Sequence, residues 1–133
     1  MFRHFIAKKS FNHQIKCFCP DQHHASQFTI HSGDIIELTR DRKFVHDQGW
    51  YFLISVNDDR HFYIALVDLE NYYDSGHLVS LTDLELTEIY YQYKINEALD
   101  TGDHESFMVF TSELKELSKL KEKITNHLYQ SEA

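Results

Sequence analysis

Proline is almost missing from this chain: Pro20 stands alone among 133 residues, and only four glycines accompany it. That scarcity excludes collagen-like, proline-rich and low-complexity organisation. Cysteine is as sparse, because Cys17 and Cys19 are too few and too close together to frame a disulfide-held secreted domain. No apolar run approaches the roughly 20 residues that a membrane-crossing helix needs, so no membrane partner is expected. The opening MFRHFIAKKSF turns to Lys8-Lys9 before an apolar stretch forms. No secretory signal is expected there, and the expected location is cytoplasmic. Also missing are a Gly-rich phosphate loop and any serine or cysteine in a nucleophile context such as G-x-S-x-G.

Aromatic residues, by contrast, are plentiful. Apolar residues make up 42% of the chain, with ten Phe and eight Tyr among them, enough for a packed core. The length fits one domain or two small subdomains. Formal charge is −8, which counts against a general nucleic-acid binder because phosphate repels an acidic surface. The charge is uneven. Arg3, Lys8, Lys9 and Lys16 precede the first carboxylate, Asp21, whereas twelve carboxylates between Asp68 and Glu116 face only Lys94 and Lys115. Such faces keep a protein soluble, and they also pair within a molecule, between protomers or with a basic partner.

Residues 1–27 have no clear periodicity, although QIKCFCP has the look of a short strand stopped by Pro20. From Phe28 the pattern becomes β. FTIHSGDIIELT reads as strand, Ser-Gly-Asp turn and strand, and QGWYFLISV with HFYIALV reads as a hairpin through Asn57-Asp58-Asp59-Arg60. Trp50, Phe52, Ile54 and Val56 share one face, yet Tyr51 and Leu53 make the other face apolar too. Both faces then need cover, from a curled barrel or from helices. Asp68 is placed as the cap of a helical turn ending near Gly76, and HLVSL as a last short strand. The run of short strands resembles a small SH3-like antiparallel barrel, by analogy of pattern alone.

After Leu81 the period turns helical. Thr82-x-x-Glu85 has capping-box spacing, and the helix that follows to about Leu99 carries two apolar stripes. Leu86, Ile89, Tyr90 and Tyr93 form one; Tyr91, Ile95, Ala98 and Leu99 form the other. Two stripes predict a helix sandwiched between the barrel and the last helix. Gly102 supplies a left-handed end, Asp103 caps the next helix, and Phe107, Phe110, Leu114, Leu117, Ile124 and Leu128 give that helix its core stripe. Lys121 interrupts the stripe, so the helix beyond Leu120 is expected to project, fray or meet a second chain. The expected fold class is therefore α+β: a β subdomain over 1–81 and a helical hairpin over 82–133.

The hairpin carries a resemblance. Ile95-Asn96-Glu97-Ala98-Leu99 matches, with Asn for Asp, the pentapeptide after which the bacterial IDEAL domain is named, and the similarity runs from about Tyr90 to Leu117 through LDTGD. It covers about a fifth of the chain. The resemblance implies a short C-terminal helical module of Bacillus-like Gram-positive bacteria, attached to different upstream domains, with a protein-interaction or regulatory role. It brings no catalytic residue. Asn96 lacks the charge of the family's Asp, which leaves a carboxylate role at that position unsupported.

The densest donor set is CFCPDQHH, where Cys17, Cys19, His23 and His24 offer four N/S ligands for Zn²⁺ within eight residues. C-x-C is tighter than the usual C-x₂₋₄-C, and adjacent His23 and His24 point apart, so the commoner outcome is an exposed segment with two thiols. The remaining histidines, among them His4, His31, His46, His61, His77, His104 and His127, are scattered. Asp58-Asp59 and Asp100 with Asp103 have turn and cap chemistry. No enzyme, no cofactor and no metal centre is therefore expected. The expectation is a non-enzymatic module that docks another protein through Tyr90, Tyr93, Asn96, Glu97, Asp100 and Glu105, an acidic and Tyr-rich surface of the hairpin. The alternatives are a homodimer or larger homo-oligomer, and a metal-dependent regulator using the Cys/His segment.

Overall fold

The structure, a computed structural model, describes residues 3–15 and 26–131. The chain divides into two compact units, residues 1–79 and 80–133.

The first unit is built on a five-stranded antiparallel sheet in the order β6-β5-β4-β1-β7. Its strands are β1 (His4–Ala7), β4 (Ile35–Val45), β5 (Gly49–Val56), β6 (Arg60–Ala65) and β7 (Leu78–Val79). A separate two-stranded ribbon joins β2 (Phe11–Ile15) to β3 (Ser26–Ile30), and α1 (Leu66–Asp74) follows β6 without a loop. The expected barrel does not form. Among the described residues β6 and β7 are the open edges of the sheet, so the unit is an open antiparallel sheet and not an SH3-like closure.

FTI and IIELT form strands on the two sides of the Ser-Gly-Asp turn, as expected, but are not partners: β3 pairs with β2, from Phe11↔Ile30 to Ile15↔Ser26, while β4 pairs with β1 and β5. The Ser-Gly-Asp segment is therefore a corner between two sheets. Gly33 there has φ 95°, a left-handed conformation that glycine adopts without Cβ strain. Its N–H donates to the Ala7 carbonyl at 2.7 Å, and Ala7 N–H donates to the Asp34 carbonyl at 2.8 Å. Asp34 also accepts from His31 N–H (2.8 Å) and from Asn57 Nδ2 (3.1 Å), while Asn57 Oδ1 accepts from Ile35 N–H (2.9 Å). This polar knot holds the β3–β4 corner against the β5–β6 turn. Asp68 is not a cap either: α1 begins at Leu66 with Ala65 as N-cap and no side-chain capping bond, and Asp68 sits in its first turn.

The core of this unit gathers Phe5, Ile36, Leu38, Ile54, Val56 and Ile64 from the sheet, Ile30 from the ribbon and Leu69 from α1. Tyr72 and Tyr73, adjacent to one another on α1, pack against it with Phe11, Phe28 and Phe62. Between Leu38 and Arg42 the β4–β5 register shifts, and beyond this bulge Arg40, Asp41, Arg42 and Phe44 are exposed. A bulge bends a strand and strengthens its twist, so β4 leaves the core there. Phe44 and Trp50 meet edge to face on this arm, with ring centroids 5.4 Å apart and the Arg42 guanidinium 5.5 Å from the indole.

The second unit is a helical hairpin of α2 (Leu81–Thr101) and α3 (His104–Ser131). Its first cap is Ser80, not Thr82: Ser80 Oγ accepts from Asp83 N–H at 3.2 Å and Asp83 Oδ2 accepts from Ser80 N–H at 2.9 Å. An aspartate three residues on closes the capping box as the expected glutamate would. Gly102, at φ 71°, ends α2 in the left-handed region as its position implied. No helix among the described residues is long and apolar enough to cross a membrane.

One buried titratable group makes the β unit sensitive to acid. His13 is buried, its Nδ1 lies 2.8 Å from the Tyr72 hydroxyl, and its ring stacks on Phe62 at 5.8 Å. Burial lowers its proton affinity below the usual imidazole value, with the Asp68 carboxylate opposing. A histidine released on unfolding regains its ordinary value, about 6.5. Below that pH the unfolded chain binds the extra proton, so this contribution to stability is present above it and is lost as pH falls. The urea midpoint is expected to drop between pH 7.5 and pH 5.5, and His13→Gln is expected to drop less. An equal drop in both would remove His13 from the account.

Candidate functional site

The hairpin places its side chains through three local devices. The Ser80 box sets the start of α2, Gly102 turns the chain, and Asp103 begins α3 by accepting from Ser106 N–H (3.2 Å) and Ser106 Oγ (2.7 Å). Those two bonds favour the carboxylate and hold Asp103 below its ordinary pKa.

α2 and α3 then pack through one side of each. From α2, Leu84 and Ala98 are buried and Tyr91, Ile95 and Lys94 are half-buried; from α3, Leu117 and Ile124 are buried and Phe107, Phe110 and Leu114 half-buried. Phe110 clusters with Tyr91 and Tyr90, its ring centroid 6.0 and 6.3 Å from theirs, and the two tyrosine rings lie 5.8 Å apart. Burial, then the nearby Glu113 carboxylate, then Tyr90 push the Tyr91 phenol above its ordinary value, which keeps it neutral. Lys121 does not release the end of α3. Its Nζ reaches Glu88 Oε2 on α2 at 3.1 Å, the helix continues to Ser131, and Ile124 beyond it is fully buried.

The other stripe of α2 lies largely in solvent, with Tyr90 at its margin also touching Phe110 of α3. Leu86 is 61% exposed, Ile89 64%, Tyr90 50% and Tyr93 62%. Their i, i+3, i+4, i+7 spacing puts them on one face. Within the hairpin this stripe is therefore not the one that packs on α3. On the same side stand exposed Glu85, Asn96, Glu97 and Asp100, so the apolar line is edged by carboxylates. One cation lies at its margin: Lys94 Nζ is 5.8 Å from the Tyr90 ring centroid and 3.9 Å from Glu97 Oε1.

Of the residues singled out from the sequence, Tyr90, Tyr93, Asn96, Glu97 and Asp100 share this exposed face of α2, and Glu105 stands exposed in the first turn of α3. Leu86 and Ile89 were expected inside; they are the apolar half of the face. The tyrosine pair of α1, Tyr72 and Tyr73, instead packs against the core of the β unit. The zinc candidates Cys17, Cys19, His23 and His24 lie outside the described residues. A hollow of about 180 Å³ at the turn, lined by Ala98, Leu99, Gly102, Asp103, His104 and Phe107, brings His104 near Asp103 without a nucleophile among its lining residues.

No family model, curated protein or solved structure matches the chain.

The two stripes of the hairpin should differ in their effect on stability. Leu117→Ala, in the buried seam, is expected to cost about 3 kcal/mol, within the range for truncating a core leucine. Ile89→Ala, on the exposed face, should remain within about 0.5 kcal/mol of the parent. Denaturant titration of both variants checks this, and equal losses would show that the Ile89 stripe is in fact packed.

Proposed function

We propose that the chain is a non-enzymatic interaction module, regulatory in role, whose helical hairpin docks another protein. In this proposal the hairpin is an IDEAL-like module, on the strength of Ile95-Asn96-Glu97-Ala98-Leu99 and the LDTGD link, of the kind expected in Bacillus-like Gram-positive bacteria. The single observation that carries the proposal is the line of Leu86, Ile89, Tyr90 and Tyr93, half to two-thirds exposed on a helix whose opposite side already serves α3. Isolated exposed apolar residues are ordinary; a contiguous line of them with tyrosine and a polar rim is the composition of a partner surface.

The docking residues in this reading are Tyr90, Tyr93, Asn96, Glu97, Asp100 and Glu105, with Leu86 and Ile89 added as anchors. Tyrosine suits such a face because it brings large contact area and a hydrogen-bonding tip at little entropic cost. A second reading, self-association through the same stripe, draws on the same exposure. Its weakness is electrostatic, since a copy of this face presents carboxylates to carboxylates.

The test is affinity capture from a bacterial lysate with the parent chain and a Tyr93→Ala/Glu97→Lys variant. Proteins held by the parent are expected to be absent from the variant eluate, with helical circular dichroism equal in both. Identical eluates would remove this face as the docking site.

A further inference from the structure

Resting on that docking reading, we infer that the occupant of the α2 face is a basic amphipathic segment: apolar side chains at helical spacing flanked by Lys or Arg. The argument is one of shape and charge together. A line at i, i+3, i+4, i+7 on one helix face packs against apolar anchors of the same period on a second helix laid along it. The rim then decides the partner's sign. Glu85 edges one end of the line, Glu97 and Asp100 continue it past Tyr93, and all three are exposed. Across α2 as a whole, Asp83, Glu85, Glu88, Glu97 and Asp100 stand against Lys94 alone. Glu88 is engaged with Lys121, Asp83 with the Ser80 cap and Glu97 in part with Lys94, so the rim offers a partner Glu85, Asp100 and the exposed Glu97 carboxylate that a partner's cation would share with Lys94.

The same charges disfavour a second copy. Two α2 faces laid antiparallel would set Glu85 of one against Glu97 and Asp100 of the other, and parallel pairing would set each carboxylate against itself. Like charges brought together across an interface oppose its formation. A basic segment meets opposition only from Lys94 at one margin, and its cations are drawn to the carboxylate rim before contact.

A displayed library of random 16-residue peptides, panned on the full chain and counter-selected on the Ile89→Asp variant, tests the inference without naming a partner beforehand. Enriched peptides are expected to carry net positive charge and apolar residues at i, i+3/i+4 and i+7. Synthesised individually, they should lose at least tenfold in affinity to Glu97→Lys/Asp100→Lys, and again between 50 and 500 mM salt. Enrichment of neutral or acidic peptides that still need Ile89 would overturn the basic-segment inference and leave the docking face standing. No peptide dependent on Ile89 would overturn both. So would a parent chain that dimerises in sedimentation and loses the dimer in Ile89→Asp, because the occupant is then a second copy.

Discussion

A helix packed against a single neighbour can bury only the part of its circumference that faces it, and in this hairpin that geometric limit governs α2. Its apolar residues cover two sides. The side carrying Leu84, Tyr91, Ile95 and Ala98 goes to α3, fixed by the Gly102 turn and by the Lys121–Glu88 ion pair. The stripe of Leu86, Ile89, Tyr90 and Tyr93 is what the pairing leaves over. Its exposure follows from the pairing itself and needs no strain or disorder.

Keeping such a face in water has a cost that charge offsets. An uninterrupted apolar line invites non-specific association, whereas a carboxylate rim makes identical copies repel one another. In the docking reading proposed above, Glu85, Glu97 and Asp100 would act in two ways: keeping the face open and biasing what closes it. Lys94, drawn toward Tyr90 and Glu97, weakens that bias at one margin only.

Much of the helical unit was legible because its determinants are local. Asp-Thr-Gly-Asp marks a helix end and a helix start within four residues, and the α3 stripe follows from spacing alone. The cap was misplaced by a few residues because Ser80-x-x-Asp83 and Thr82-x-x-Glu85 present overlapping signals, and the bond to Asp83 decides between them. The β unit was less legible because strand pairing is not local. The four residues of β1 and the two of β7 carry little periodicity, yet β1 lies between β4 and β7. Phe28 to Ile30 and Ile35 onward have the pattern of a hairpin; the Asp34–Asn57 knot sends them to different sheets. For the candidate site, Tyr90 and Tyr93 stood out by type. Leu86 and Ile89 did not, because periodicity reports that a helix has two apolar sides and not which one its neighbour takes.

The bulge in β4 has an optical consequence. Trp50 is the sole tryptophan of the chain, and it lies on the arm that leaves the core, 46% exposed beside Phe44 and Arg42. Indole emission therefore reports the β unit alone, while the α-helical signal comes largely from α2 and α3. The two units carry separate intrinsic reporters, so their unfolding can be followed independently in one unlabelled sample.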